Sequence, residues 1–141
     1  STDPQNDGLA RGFAKPDFDD KSWTPISPLD WWQNQGFPDY YGVGWYRARF
    51  TMKPLQEGER ARLYFGAVDG NAVVYLNGVK VSEHILGPNF TGWDKPFSVD
   101  ITYKAKAGEN TIALQVTGKN SSTNSGLFKG AAIAAGKRIR Q

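Results

Sequence analysis

The chain has 141 residues, of which 39% are hydrophobic and 22% charged, with 16 Gly, 8 Pro and a formal net charge of +3 at pH 7. This length and composition predict one turn-rich soluble domain over residues 1–141, too short for a barrel-type catalytic domain and without an apolar run that could span a bilayer. The absence of Cys excludes disulfides and thiolate metal sites, and because no basic face coincides with the aromatic segment at 30–47, we expect neither a nucleic acid nor a membrane as partner.

Alternation of apolar and polar residues dominates the chain after residue 44. An early strand is expected near 21–27, and "WYRARFTM" at 45–52 places one set of alternate side chains on each face, as in a half-buried strand. Further strands are predicted at 61–68, 72–77, 79–84, 96–102, 110–117 and 127–133. No window predicts an amphipathic helix.

Asn77 and Gly78 separate two of these strands. Asn-Gly between alternating hydrophobic residues is typical of a type I′ turn, because both central residues need a positive φ. About eight short strands with regular turn signals predict an all-β protein, an antiparallel β-sandwich, and we favour an eight-stranded jelly roll.

The connections divide between the two ends of such a sandwich, since successive connections of an antiparallel fold mostly alternate between its ends. One end receives short, charged loops at 53–60, 77–78 and 103–109. The other end receives loops rich in Trp, Tyr, Asn and Gly, at 28–43, 69–71, 85–95 and 118–126. Long loops gathered on a rigid scaffold are the usual place for a binding site.

The residues of this long-loop end suit a sugar ligand. An aromatic ring packs on sugar C–H groups, while amides and carboxylates bind hydroxyls in both directions. We expect a carbohydrate-binding site formed or supported by Trp31, Trp32, Gln33, Tyr40, Tyr41, Asn89, Trp93, Asp94 and Asn124. The alternative is that one ring of each pair closes the open end of the sandwich. Trp45 and Tyr46 lie within a strand, so we expect them to be packed.

Other candidate groups predict little chemistry. His84 is the only His, so it cannot form a zinc site alone, and we expect it to make a structural hydrogen bond. Asp17, Asp19 and Asp20 form an acidic cluster, and a calcium ion held there by oxygen ligands is the one cofactor that the sequence leaves open. Because no common catalytic motif occurs, we expect no catalytic residue and no other cofactor.

Five segments resemble, in order and spacing, the sugar-binding domain at the amino end of glycoside hydrolase family 2 enzymes. They are "GVGWYRARF" at 42–50, "LYFGAVDGNAVVYLNGVKV" at 63–81, "PFSVDIT" at 96–102, "GENTIALQV" at 108–116 and "SGLFKG" at 125–130. The resemblance covers roughly residues 17–133 and implies the galactose-binding-like jelly roll. It implies framework roles for Gly42, Trp45, Tyr46, Arg47, Asp69, Asn77, Gly78, Asp100 and Gly126. The segment at 85–97 departs from the family, which has a compact glycine-rich turn there.

The family's catalytic glutamates lie on a separate barrel domain, so the resemblance implies no catalytic residue here. Together with the loop chemistry, it favours a non-catalytic carbohydrate-binding module that binds an oligo- or polysaccharide and shares a polypeptide with a catalytic domain. We expect this module to be a monomer. We expect it to be secreted, periplasmic or at the cell surface.

Two other functions stay open. A structural accessory sandwich would pack its aromatic end on a catalytic partner without sugar affinity. A self-sufficient enzyme would need two carboxylates that face each other across a cleft. If the loops bind no glycan, the alternative place for a site is the sheet face around Arg47, Arg49 and Tyr75.

Overall fold

Strands form in most of the segments where apolar and polar residues alternate. The computed structural model describes residues 1–119 and 123–137. The strands in these residues are β1 Thr2–Asp3, β2 Val43–Met52, β3 Glu59–Phe65, β4 Val68–Asp69, β5 Asn71–Leu76, β6 Val79–His84, β7 Phe97–Asp100, β8 Gly108–Thr117, β9 Gly126–Leu127 and β10 Ala131–Lys137. Two single-turn 3-10 helices, Trp32–Asn34 and Pro88–Phe90, lie in the long loops.

The strands pair antiparallel in three sheets. The larger sheet has the order β1-β2-β8-β5-β6, the second has the order β10-β3-β7, and β4 pairs with β9 alone. This architecture confirms the prediction of an all-β antiparallel sandwich.

Three of the predicted strands are absent or divided in the structure. Residues 21–27 form no strand, because Pro25 has no N–H to donate and Trp23 packs on Phe13 instead, with ring centroids 5.1 Å apart. The strand predicted at 61–68 divides into β3 and β4 at Gly66, whose N–H bonds the carbonyl of Gly130 at 2.8 Å. A Cβ at position 66 would lie 2.0 Å from the backbone oxygen of Lys129, so the close approach of this segment to the break between β3 and β4 requires a glycine. The strand predicted at 127–133 likewise divides into β9 and β10.

The main core lies between the sheets and follows from the alternation. Its buried side chains include Leu63 and Phe65 from β3, Leu76 from β5, and Leu114 and Val116 from β8. Burying an aliphatic or aromatic side chain of this kind stabilises the fold by about 1.5–3 kcal/mol relative to leaving it exposed.

A second core covers the outer face of the five-stranded sheet. Phe13 packs edge-on against Trp45 with centroids 5.9 Å apart, and both join a buried cluster with Tyr75. The Arg47 side chain is buried beneath the same segment and donates to the carbonyl of Phe13 at 2.7 Å and to Asp20 at 2.8 Å. The sheet face around Arg47 and Tyr75 is therefore covered, so these two residues form no open platform for a glycan, whereas the Arg49 side chain stays 41% exposed.

The short-loop end has the turn that the sequence predicts. Asn77 and Gly78 have φ angles of 52° and 87°, as a type I′ turn requires. The Asn77 side chain donates to Asn110 Oδ1 at 2.9 Å and accepts the Thr111 N–H at 2.9 Å, which ties the turn to β8.

Candidate functional site

The four long loops meet at the opposite end of the sandwich, around Asp69. Trp31 Nε1 donates to Asp69 Oδ2 at 2.9 Å, and Lys119 Nζ lies 2.6 Å from Asp69 Oδ1. The same ammonium group lies 4.8 Å from the centroid of the Trp93 ring. These contacts join the loops at 28–43, 69–71, 85–95 and 118–126 and confirm the prediction that they gather at one end.

Asp69 and Lys119 form a buried ion pair at the base of this site. Their side chains are 3% and 9% exposed. Asp69 ends β4 and precedes Gly70, which has a φ of 135°, where a Cβ would lie 2.5 Å from the Thr117 carbonyl oxygen. The carboxylate is thus fixed by a tight strand connection, and it holds the indole of one loop and the ammonium of another.

Three aromatic rings stack above the ion pair. The ring of Phe128 lies nearly parallel to Trp31, with centroids 4.7 Å apart, and nearly parallel to Trp93, with centroids 5.9 Å apart. The Lys119 ammonium also lies 5.9 Å from the Phe90 ring. Phe90 and Phe128 were not among the predicted site residues. The "NFTGW" and "GLFKG" segments offered a signal, since each places a Phe next to polar and glycine residues at the long-loop end.

The loop at 85–95 presents the accessible part of this cluster. Trp93 and Phe90 are 37% and 40% exposed. Asn89 and Lys95 are also exposed and Asp94 is half-buried, so an amide, a carboxylate and an ammonium group accompany the two rings. Asn89 and Phe90 have positive φ angles of 55° and 60°, which turn the chain sharply between Pro88 and Trp93.

Two predicted site residues lie inside the protein instead. Trp32 is 4% exposed and its Nε1 donates to the Tyr40 carbonyl at 2.9 Å. Gln33 is buried as well, with Nε2 donating to the same carbonyl and Oε1 accepting the Ser125 N–H at 2.8 Å. The predicted role of these two residues in contacting a glycan is therefore corrected. The ring of Trp32 closes this end of the sandwich. It fits there because Gly44 has no side chain: a Cβ at that position would lie 2.8 Å from the ring.

The side chain of Tyr40 is part of the same internal network. Its hydroxyl accepts the Asp3 N–H at 3.1 Å and donates to the Val43 carbonyl. Burial, the largest effect, raises the pKa of this phenol. The half-buried Tyr40 thus joins the amino-terminal segment to β2.

Tyr41 and Asn124 lie at the long-loop end but apart from the ring stack. Tyr41 is half-buried, and its carbonyl oxygen lies close to Gly118, where a Cβ would be 3.2 Å away. Asn124 is exposed. Of the predicted residues, the structure brings Trp31 and Trp93 together through Phe128 and leaves Asn89 and Asp94 on the same loop as Trp93.

His84 has the structural role that the sequence predicts. Its ring stacks on Phe97 with centroids 4.4 Å apart, and Nε2 lies 3.3 Å from the Gly92 carbonyl. It anchors the start of the loop at 85–95.

One member of the predicted acidic cluster, Asp20, is engaged in ion pairs. Asp20 Oδ2 lies 2.8 Å from Arg47 and 3.1 Å from Arg49. Burial opposes ionisation of Asp20, but hydrogen bonds and charge from the two guanidinium groups outweigh it and hold its pKa below the usual value. In residues 1–119 and 123–137, no three His, Cys, Asp or Glu side chains come together as a metal site would require, and no helix is long and apolar enough to cross a membrane.

Comparison with known proteins relates this fold to glycosidases. Residues 56–140 match the family model of the α-L-rhamnosidase N-terminal domain. The chain is 36% identical over 109 residues to a β-galactosidase from Thermoanaerobacter pseudethanolicus, covering 71% of this chain and 14% of that protein. It is 32% identical over 117 residues to a β-glucuronidase from Paenibacillus borealis, covering 81% of this chain and 19% of that protein.

A solved structure shows the same relationship. A glycosyl hydrolase family 2 member from Bacteroides cellulosilyticus superposes with a TM-score of 0.73 at 25% identity, covering 87% of this chain and 18% of that one. The chain therefore spans less than a fifth of the length of these relatives, which makes it comparable to one of their domains.

Proposed function

The chain belongs to the family of α-L-rhamnosidase N-terminal domains, of the type that glycoside hydrolase family 2 enzymes carry, and on this basis we propose that it is a carbohydrate-binding module. The family model describes an amino-terminal domain, and the relatives are several times longer than the aligned regions, so the chain corresponds to an accessory domain and not to a catalytic one. The proposed ligand is an oligo- or polysaccharide.

The ring stack at the long-loop end supports this proposal best. Trp93 rests against Phe128 and under the Lys119 ammonium, so its orientation is set before any ligand arrives. A ring already held in its binding orientation loses little conformational entropy when a sugar packs on it. The exposed parts of Trp93 and Phe90 can pack on the C–H face of a sugar.

Polar groups of the same loop supply hydrogen bonds to sugar hydroxyls. Asp94 can accept, Lys95 can donate, and the exposed amide of Asn89 can do both. In this proposal Trp31 supports the site without contacting the sugar. It stacks on Phe128 and donates a hydrogen bond to Asp69, which together hold Phe128 in place against Trp93.

The proposed biological role is to hold a larger enzyme on its substrate. The relatives named above are a β-galactosidase and a β-glucuronidase, and each is much longer than the matched region. We place the chain in one polypeptide with such a catalytic part, in a secreted, periplasmic or cell-surface enzyme, where polymeric glycans are met.

The test is affinity electrophoresis of the chain through gels that contain soluble neutral polysaccharides. A polymer that retards the parent chain should bind Trp93→Ala about fivefold or more weakly, as expected for a ring contact worth about 1 kcal/mol. Tyr103→Ala is the matched control, because Tyr103 is a strongly exposed ring in the loop between β7 and β8 at the opposite end. Equal retardation of the parent and of Trp93→Ala, with both proteins folded, would refute the proposal that Trp93 contacts the polysaccharide.

A second function has its own support. Leu29 and Ile85 are exposed beside the ring cluster, and exposed apolar side chains also mark protein interfaces. If the long-loop end instead packs on a catalytic domain, no polysaccharide in the panel retards the chain. The same rings then become protected from iodide quenching of tryptophan fluorescence when a catalytic domain is present.

A further inference from the structure

The outer face of the three-stranded sheet carries a second cluster of binding groups. Arg60, Arg62 and Tyr64 alternate along β3 and point away from the core, whose side of the strand holds Ala61 and Leu63. The two Arg side chains are 56% and 43% exposed, and Tyr64 is 43% exposed. Side chains on one face of a strand recur about every 6.6 Å, so an extended polymer lying along β3 meets all three in turn.

The strand on one side of this row leaves it open. The outward positions of β10 hold only Ala or Gly, and they pair with Tyr64, Arg62 and Arg60 as Ala132, Ala134 and Gly136. These small residues leave the flank of each longer side chain accessible. The result is an open groove of about 710 Å³ over the sheet, whose lining does not include Trp93.

The strand on the other side orients the guanidinium group of Arg62. Its Nε and Nη2 donate to Ser98 Oγ at 3.3 and 3.0 Å. Asp100 lies 3.9 Å from Arg62 and 4.0 Å from Arg60, well beyond the roughly 2.7–2.9 Å of a charge-assisted hydrogen bond. Nη1 of Arg62, whose recorded carboxylate neighbour is Asp100 Oδ2 at 3.9 Å, has no acceptor within hydrogen-bond distance in the described residues.

The charge of the groove is positive. Its charged side chains are those of Arg60 and Arg62 against the single carboxylate of Asp100, because Lys137 pairs with Glu59 and belongs to the other face of the sheet. Two hydrogen bonds from Thr102, both to Oδ1, lower the pKa of Asp100 and keep its carboxylate charged, so one negative charge offsets part of the charge of the two guanidinium groups. Planar guanidinium groups with free donors are suited to carboxylates and to sulfate esters, and a tyrosine ring beside them is suited to a sugar ring.

We propose that this face is a second binding surface, specific for an anionic polysaccharide. The acidic groups of the polymer bind Arg60 and Arg62, and a sugar ring lies against Tyr64 beside the Ala and Gly residues of β10. This proposal does not depend on the site at the long-loop end, because the two surfaces share no residue.

Biolayer interferometry with immobilised polymers tests the proposal. The 141-residue chain is applied to polygalacturonate, which carries carboxylates, to dextran sulfate, which carries sulfate esters, and to neutral dextran. We expect binding to at least one acidic polymer and none to dextran, and the two acidic arms identify which anion is preferred. The absence of binding to both acidic polymers at physiological ionic strength would overturn the proposal.

Variants separate a specific site from general attraction. Arg60→Gln with Arg62→Gln should weaken binding about tenfold or more, since hydrogen bonds to charged groups are lost. The matched control, Arg11→Gln with Lys80→Gln, removes the same charge from exposed ion pairs elsewhere and should bind almost as the parent does. An equal loss in the control, or equal binding to polyglutamate, would refute a sugar site.

Two single variants complete the design. Tyr64→Ala should weaken binding to the acidic polymer about threefold or more, because the ring contact with the sugar is lost. Trp93→Ala should leave that binding unchanged, so that failure of the proposal for the long-loop end and failure of this one are distinguishable.

Discussion

Replacing Lys119 with Met should destabilise the domain more than replacing both members of its ion pair. Removing one partner of a buried pair typically costs about 3–5 kcal/mol, because the other charge is left in a poorly solvated position. Lys119 retains 9% exposure, so we expect the lower end of this range, about 3 kcal/mol. For a domain of this length that corresponds to a fall in Tm of about 10 °C.

The double variant Asp69→Asn with Lys119→Met provides the control. Its amide oxygen can still accept the Trp31 N–H while no charge is buried, so its free energy of unfolding should lie within about 1 kcal/mol of the parent. Urea unfolding followed by tryptophan fluorescence measures the parent, both single variants and the double. Additive single effects, with a coupling energy below about 0.5 kcal/mol, would refute the reasoning that the pair organises this end of the fold.

Two further predictions concern pH. Asp20 has a pKa lowered by Arg47 and Arg49 against the effect of burial, so the stability it contributes is present above about pH 4 and is lost as pH falls through the folded-state value. Urea unfolding between pH 3 and 7 should therefore show a flatter acid dependence for Asp20→Asn, and parallel profiles would contradict this. Burial raises the pKa of Tyr46 to about 12, so its stabilising effect is present below about pH 10 and is lost as pH rises toward the folded-state value. At pH 7 the free energy of unfolding of Tyr46→Phe should be about 1–3 kcal/mol lower than that of the parent, because the Leu127 N–H loses its acceptor. As pH rises above about 10, the variant should lose less additional stability than the parent does, and thermal unfolding of both proteins across this pH range measures the difference.

Much of the fold could be predicted because its determinants are local. Alternation identifies a strand wherever one face is buried, and an Asn-Gly pair has few alternatives to a tight turn. The gathering of the long loops also follows, since it depends only on the order of strands in an antiparallel sandwich. The 21–27 segment shows the limit of this reasoning: Trp23 alternates with polar residues, yet it serves the second core under Phe13 rather than a sheet.

The division of the aromatic residues between core and surface could not be predicted from composition. Trp31 and Trp32 are adjacent in sequence. The single-turn helix that begins at Trp32 directs its indole, and not that of Trp31, into the core. Room for that indole depends on Gly44 in β2 and on Gly126 in β9, where a Cβ would lie 3.2 Å from the same ring. Information of this kind comes from residues distant in sequence, so the pattern of one segment does not contain it.

The position of Asp69 explains how one carboxylate organises the long-loop end. Its backbone belongs to a tight strand connection, while its carboxylate fixes Trp31 and Lys119 from two long loops. Lys119 in turn lies over Trp93 in the loop at 85–95. The ammonium group therefore links a carboxylate fixed by the strands to an aromatic ring in an exposed loop, so the orientation of Trp93 depends on Asp69 through Lys119.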